Sequence, residues 1–192
     1  SQIPDVFMNT IVQMTSGVRV VLRTDSPVVE LVVHPRTLHT VGSPFVPPVF
    51  QLVADGVVRP DVVAHGGSAL HVDRMAGPEG ITFEHGVAAT LRWAQLAPTE
   101  KTIEIWFPTN ASAEIQAVRV AEHATASVAP ITTRRWTHYG SSISHCADVE
   151  RAFDAFDQVK RLMIDFDAAA FDPREIEDVA DDRQKSFGRL VD

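Results

Sequence analysis

The sequence is short of several residue types, and each shortage narrows what the protein can be. Cys146 is the one cysteine among 192 residues, so no disulfide can form within the chain. No apolar run approaches the roughly 20 residues that a membrane-spanning helix needs. The 17 Lys and Arg residues are outnumbered by 25 Asp and Glu, giving a formal net charge of −8, which disfavours a surface that tracks nucleic-acid phosphates. We therefore expect no nucleic-acid partner and no membrane span.

Two further absences concern location and chemistry. Residues 1–10 lack the basic and apolar regions of a signal peptide, and a single cysteine fits a reducing compartment, so a cytoplasmic protein is expected, with secretion of a processed chain left open. All eight histidines lie at or before His145. Any histidine-dependent chemistry must therefore be assembled from the first three quarters of the chain.

The first two thirds of the chain consist of short β-branched runs separated by turn residues. This spacing is typical of an antiparallel β-sandwich. The predicted strands are Val18–Arg23, Val28–Val33, Phe50–Ala54, Ala69–Val72, Ile81–His85, Ala88–Leu96, Thr102–Phe107 and Ile115–Ala121.

Two turns can be predicted from local chemistry. Asp55-Gly56 predicts a two-residue hairpin, because a type I′ turn needs positive φ at both central residues. Thr40–Pro48 holds three prolines, which lack amide donors, and this segment should be a surface loop.

The acidic tail has a different period. Apolar residues recur every three or four positions from Val149 to Phe166, which predicts an amphipathic helix. Asp172-Pro173 would begin a second helix. The sequence thus predicts three parts: a β-sandwich over residues 1–131, a strand and turn over 132–146, and a two-helix tail over 147–192.

The segment between sandwich and tail carries the chemistry. It reads Trp136-Thr137-His138-Tyr139-Gly140-Ser141-Ser142-Ile143-Ser144, a strand-like piece followed by a turn and a helix start. Such a turn holds a serine hydroxyl clear of the sheet and aims a backbone amide at a developing oxyanion. This arrangement suits acyl transfer.

Here the sequence resembles the GDSL/SGNH family of serine ester hydrolases, whose first block reads Gly-Asp-Ser-Leu or a variant such as Gly-Ser-Ser-Ile. It is similar to the subgroup with an N-terminal jelly-roll-like sandwich, because Lys101–Pro108 resembles a late strand of that domain. The resemblance implies that Ser142 is the nucleophile and its amide an oxyanion donor, that Gly140 permits the tight turn, and that no cofactor is needed. It implies a small ester or acetylated carbohydrate as substrate.

The later blocks of that family are missing after residue 146. They supply a glycine and an asparagine for the oxyanion hole and a late Asp-x-x-His pair. A serine hydroxyl is a weak nucleophile without a base, and His145, three residues after Ser142, is better explained as an exposed first-turn residue than as a substitute. The sequence therefore predicts a truncated or rearranged enzyme, weak or inactive alone.

Two alternatives remain beside the enzyme. One is a non-catalytic carbohydrate-binding or protein-interaction sandwich. Alternation places Ile103, Ile105 and Phe107 in the core and Trp106 outward, where its ring could stack on a ligand, although packing against the adjoining segment is the commoner arrangement. The other is a homo-oligomer formed through the helical tail, since amphipathic helices must bury their apolar stripe.

A metal site is not expected from the sequence. His65, His71 and Asp73 lie close together along the chain, but their spacing matches no established set of ligands.

Overall fold

A computed structural model describes residues 5–129 together with Ala152 and Phe153. These residues form one α-helix, α1 (Asp5–Val12), and eleven β-strands, so the prediction of a mainly β protein is confirmed. None of the helices in this part of the chain has the length and apolar content needed to cross a bilayer. The predicted nucleophile turn lies outside the described residues, and so does the predicted helical tail apart from Ala152 and Phe153.

Six strands form the first sheet, which we call sheet A, and all of its pairs are antiparallel. Its order is β11-β1-β9-β3, and β4 and β5 both pair with the free edge of β3. The strands are β1 (Arg19–Thr24), β3 (Val49–Ala54), β4 (Val57–Val58), β5 (Val62–Val63), β9 (Lys101–Trp106) and β11 (Ala126–Val128).

Five strands form sheet B, which is organised around one long strand. They are β2 (Val29–Thr40), β6 (Ser68–Val72), β7 (Ile81–Glu84), β8 (Ala89–Trp93) and β10 (Ala111–Val120). β10 pairs with one edge of β2, while β8 and β6 pair with successive parts of the other edge.

The pair of β2 and β6 corrects the expectation of a fully antiparallel sandwich. These two strands run parallel, with Thr37 opposite Ala69 and His39 opposite His71. Between them the chain crosses to sheet A and forms β3, β4 and β5. A crossover of this length allows the chain to return in the same direction, which a short hairpin does not.

The core lies between the two sheets and contains residues from both. Ile103, Ile105 and Phe107 are 0%, 0% and 2% exposed, which confirms the predicted alternation along β9. The Phe107 ring packs edge-on against Phe50, with centroids 5.3 Å apart. The other buried core residues are Leu22, Val29, Leu31, Val33, Leu52, Ala64, Ala89, Leu91, Trp93 and Leu96.

The two predicted turns are found. Asp55 and Gly56 have φ angles of 46° and 80°, as a type I′ turn requires, and they join β3 to β4. The Asp55 carboxylate accepts a hydrogen bond from the amide of Thr102 at 2.8 Å, which ties the hairpin to β9. The predicted loop begins one residue later than expected, since Thr40 is the last residue of β2.

β2 is twice as long as the strand predicted there and contains Pro35. This proline lies between the stretch that pairs with β8 and the stretch that pairs with β6, where its missing amide breaks neither ladder. The backbone at Gly67 passes unusually close to Pro35, because a Cβ on Gly67 would lie 2.2 Å from the Pro35 carbonyl oxygen. Gly67 also has a φ of 91°, so this crossing needs glycine.

The buried side chain of Lys101 stabilises one end of the sandwich. Lys101 is 5% exposed, and burial lowers the pKa of its ammonium group, with Asp25 and Asp55 acting in the opposite direction. Its Nζ lies within hydrogen-bond distance of the carbonyl oxygens of Thr24, Ser26, Ala97 and Thr99. The charge therefore holds the connection between β1 and β2 against the connection between β8 and β9.

Candidate functional site

The outward side of sheet A carries a group of side chains, three of which are almost fully buried. Strand register places Arg19, Trp106 and Gln51 side by side on β1, β9 and β3, and Val53 lies in the next row. These residues point away from the core, yet Gln51, Val53 and Trp106 are only 0%, 1% and 2% exposed. We call this patch, Arg19, Gln51, Val53, Glu104 and Trp106, the covered face.

Phe153 lies on the covered face. Its backbone amide donates a hydrogen bond to Gln51 Oε1 at 2.8 Å, and its ring meets the Trp106 ring edge-on, with centroids 5.6 Å apart. The preceding Ala152 is 4% exposed. Both residues belong to the same compact unit as the sandwich, and Phe153 is in contact with sheet A.

Both ends of the Gln51 side-chain amide are used. Oε1 accepts from Phe153, and Nε2 donates to Asp61 Oδ1 at 3.3 Å. The orientation of the amide follows from its partners, because a backbone N–H needs an acceptor and a carboxylate needs a donor. Leaving a buried polar group without its partner costs about 1–3 kcal/mol, so Gln51 selects where Phe153 can bind.

Arg19 and Glu104 complete the covered face beside Trp106. The Arg19 guanidinium carbon lies 4.7 Å from the centre of the Trp106 ring, a favourable cation–π position. Arg19 Nε is also 3.4 Å from Glu104 Oε2. Trp106 is therefore in contact with a cation and with a second aromatic ring.

Of the two arrangements considered for Trp106, the structure shows packing within the chain. The ring does lie on the outward side of β9, as the alternation predicts, but Phe153 and Arg19 pack against it and it is 2% exposed. A sugar cannot stack on a ring that is already covered. The role of Gln51 was not predicted. The sequence feature that could have indicated it is a polar residue within the apolar run Phe50-Gln51-Leu52-Val53.

The predicted catalytic residues, Gly140 and Ser142, lie outside the described residues. What the structure provides is the contact site of Phe153, eleven positions after Ser142 in the sequence. No strand of sheet A contains a histidine, so the covered face has no imidazole of its own that could act as a base.

Comparison with known proteins gives matches in structure only. No protein-family model matches the sequence, and no curated protein is significantly similar to it. A salicylyl-acyltransferase from a tetracycline biosynthetic pathway is 23% identical, with a TM-score of 0.50 over 64% of this chain and 30% of that one. A family two carbohydrate esterase from Clostridium thermocellum is 12% identical, with a TM-score of 0.42 over 62% and 28% of the two chains.

A GDSL-like lipase from Bacteroides ovatus is also similar, with 14% identity and a TM-score of 0.40 over 68% of this chain and 34% of that one. The chain spans about a third of the length of each of these structures. At 23% identity, the likeness to the acyltransferase shows a shared fold and nothing about activity.

Proposed function

We propose that this chain is the sandwich and nucleophile turn of an SGNH/GDSL-type serine ester hydrolase, weakly active alone, which acts on a small ester such as an acetylated carbohydrate. The sandwich is the jelly-roll-like domain of that enzyme. Gly140 and Ser142 form the turn, and the helical tail follows it. The shared fold with an acyltransferase is compatible with this assignment but does not select it.

The contact of Phe153 with the covered face is the observation that supports the proposal. An enzyme of this kind needs its serine turn held against a rigid scaffold, because acyl transfer depends on placing the hydroxyl within a fraction of an ångström. Gln51 and Trp106 bind the chain shortly after the turn through a buried hydrogen bond and a ring contact. The sandwich thus acts as the support for the catalytic segment.

The proposed reaction proceeds through an acyl-enzyme. Ser142 Oγ attacks the ester carbonyl carbon, the bond to the alcohol breaks, and the serine proton leaves with that alcohol. Water then attacks the acyl group, releases the acid and restores the hydroxyl. The amide of Ser142 donates to the oxyanion in both steps.

The acyl transfer needs a base that accepts the proton of Ser142. The described histidines lie on sheet B or in loops, away from the strands of the covered face. His138 and His145 are the histidines nearest to Ser142 in the sequence. Removing the base from a serine hydrolase lowers the rate by several powers of ten, which is why we expect weak turnover.

Hydrolysis of p-nitrophenyl acetate by the full chain tests the proposal, with Ser142→Ala as the variant and Ser141→Ala as the matched control. We expect the wild type and Ser141→Ala to exceed a blank, and Ser142→Ala to equal it. A fluorophosphonate probe gives a second measurement that needs no turnover. Mass spectrometry should find one label, on Ser142.

Labelling and hydrolysis that are equal in the wild type and in Ser142→Ala would contradict the proposal. The chain would then be better explained as a non-catalytic module.

A further inference from the structure

A line of polar groups crosses one end of sheet B. His39 on β2 lies opposite His71 on β6, and their Nδ1 atoms are 3.0 Å apart. His71 Nε2 lies 2.9 Å from Glu84 Oε2, and His39 Nε2 lies 2.9 Å from the carbonyl oxygen of Ser43. The two imidazole rings are nearly perpendicular, at 89°.

Counting hydrogens shows that this arrangement needs a positive charge at its centre. A carbonyl and a carboxylate only accept hydrogen bonds, so each Nε2 must carry its hydrogen. A neutral imidazole has one N–H, and both Nδ1 atoms therefore present lone pairs to each other. Two facing lone pairs at 3.0 Å repel unless a proton or a metal ion lies between them.

The surroundings of the two rings match those of metal-binding histidines. A histidine that binds a metal through one nitrogen usually donates its other N–H to a carboxylate or a backbone carbonyl, which fixes the tautomer and turns the ring. Glu84 does this for His71, and Ser43 does it for His39. In each ring Nδ1 is thus the nitrogen left to bind a metal ion, and the two Nδ1 atoms lie 3.0 Å apart.

The distance suits a tetrahedral ion. With metal–nitrogen bonds of about 2.0–2.1 Å, two imidazoles on one zinc ion stand about 3.3 Å apart. The two Nδ1 atoms are 3.0 Å apart, so they would have to separate by only about 0.3 Å to bind one zinc ion. A small rotation of either ring provides this.

Solvent reaches the site and can complete the coordination. The side chains of His71 and Glu84 are 25% and 70% exposed, and the half-exposed ring of Phe45 packs edge-on against His39. Within the described ranges no set of three or more His, Cys, Asp or Glu side chains could hold a metal together. Water or an added ligand would therefore occupy the remaining positions.

We propose that His39 and His71 bind one divalent transition-metal ion of the zinc class through their Nδ1 atoms, with Glu84 and the Ser43 carbonyl orienting the rings. Imidazole nitrogen is a preferred ligand of zinc and copper. The site does not involve Ser142 or the covered face, so it stands or falls independently of the proposed ester hydrolysis. No metal was expected from the sequence, because the spacing of His65, His71 and Asp73 matches no established set of ligands. His39, which lies 32 residues before His71, was not among the candidates.

Isothermal titration of ZnCl₂ into the chelator-treated full chain tests the proposal. We expect one ion per chain for the wild type, and binding at least about tenfold weaker for His39→Asn and for His71→Asn. Glu84→Ala should weaken binding about 10- to 100-fold, as loss of an outer partner does in other sites. His123→Asn is the matched control, since this exposed histidine follows β10 at the other end of sheet B, and its affinity should be unchanged.

Thermal unfolding of the same proteins gives a second measurement. Zinc should raise the unfolding temperature of the wild type and leave the double variant His39→Asn, His71→Asn unchanged, because an ion that binds only the folded state stabilises it. Equal zinc binding by the wild type and by the folded double variant would overturn the proposal. An absence of zinc binding in the wild type would overturn it as well and would assign the central charge to a proton.

Discussion

The outward sides of the two sheets each carry an arginine–glutamate pair, but on sheet A this pair lies beside the fully buried side chains of Gln51, Val53 and Trp106. On sheet B, Glu30 on β2 lies between Arg92 on β8 and Arg119 on β10, and it pairs with an Arg92 side chain that is 60% exposed. On sheet A, the covered face also holds an arginine–glutamate pair, but its Gln51 is fully buried.

The difference shows that burial, and not residue type, decides how much these polar groups contribute to the stability of the fold. An exposed ion pair is screened by water and contributes at most about 1 kcal/mol. A buried amide has no water to replace a lost partner, so its hydrogen bonds determine which segment binds there. Gln51 is therefore the polar group of the covered face that determines where the amide of Phe153 binds.

The largest expected effect is at Trp106. Trp106→Ala should lower the free energy of unfolding by about 3–5 kcal/mol, because it leaves a cavity under Phe153. Urea unfolding followed by circular dichroism measures this change. Phe83→Ala, which removes a ring that is 49% exposed on β7 of sheet B, is the control and should cost about 1 kcal/mol.

The contact of Trp106 with Phe153 can be isolated by a double-mutant cycle. Combining Trp106→Ala with Phe153→Ala should give a coupling energy of about 0.5–1.5 kcal/mol, the usual value for an aromatic pair. Strictly additive effects would show that the two rings do not touch in solution.

The next effect is at Gln51. Gln51→Ala should cost about 1–3 kcal/mol, since the amide of Phe153 loses its acceptor in a buried place. Gln116→Ala is matched in chemistry but lies exposed at the irregularity in β10, and it should change stability by less than about 0.5 kcal/mol. Equal losses for the two variants would remove the distinction between the faces.

The smallest effect compares the same residue type on each face. Arg92→Ala should cost less than about 1 kcal/mol, because its ion pair with Glu30 lies at the surface, where water screens it. Arg19→Ala should cost more, about 1–2 kcal/mol, because it also loses the contact with the Trp106 ring. Repeating both measurements in 1 M NaCl should shrink the Arg92 effect and leave most of the Arg19 effect.

Local patterns predicted much of the sandwich. Asp55-Gly56 identified a hairpin, and the alternation of Ile103, Ile105 and Phe107 identified the inward side of β9, because both signals depend on neighbours a few residues apart. The extension of β2 through Pro35 was not predicted. It depends on which strands lie beside β2, and that is a long-range property.

The same distinction separates the candidate sites. The serine turn at Gly140 and Ser142 was predicted from contiguous residues and stays a prediction. Gln51 looked like an ordinary interruption of an apolar strand, and its partners Asp61 and Phe153 are 10 and 102 residues away.

The sequence by itself determined the mainly β class, the hairpin and the position of the candidate nucleophile, since strand periodicity, turn chemistry and a contiguous motif are all written along the chain. Only the tertiary structure decided that Trp106 is covered and that His39 meets His71. Both depend on the crossing of distant strands, which alternation along one strand cannot specify because it fixes a side chain's face and not what lies against that face.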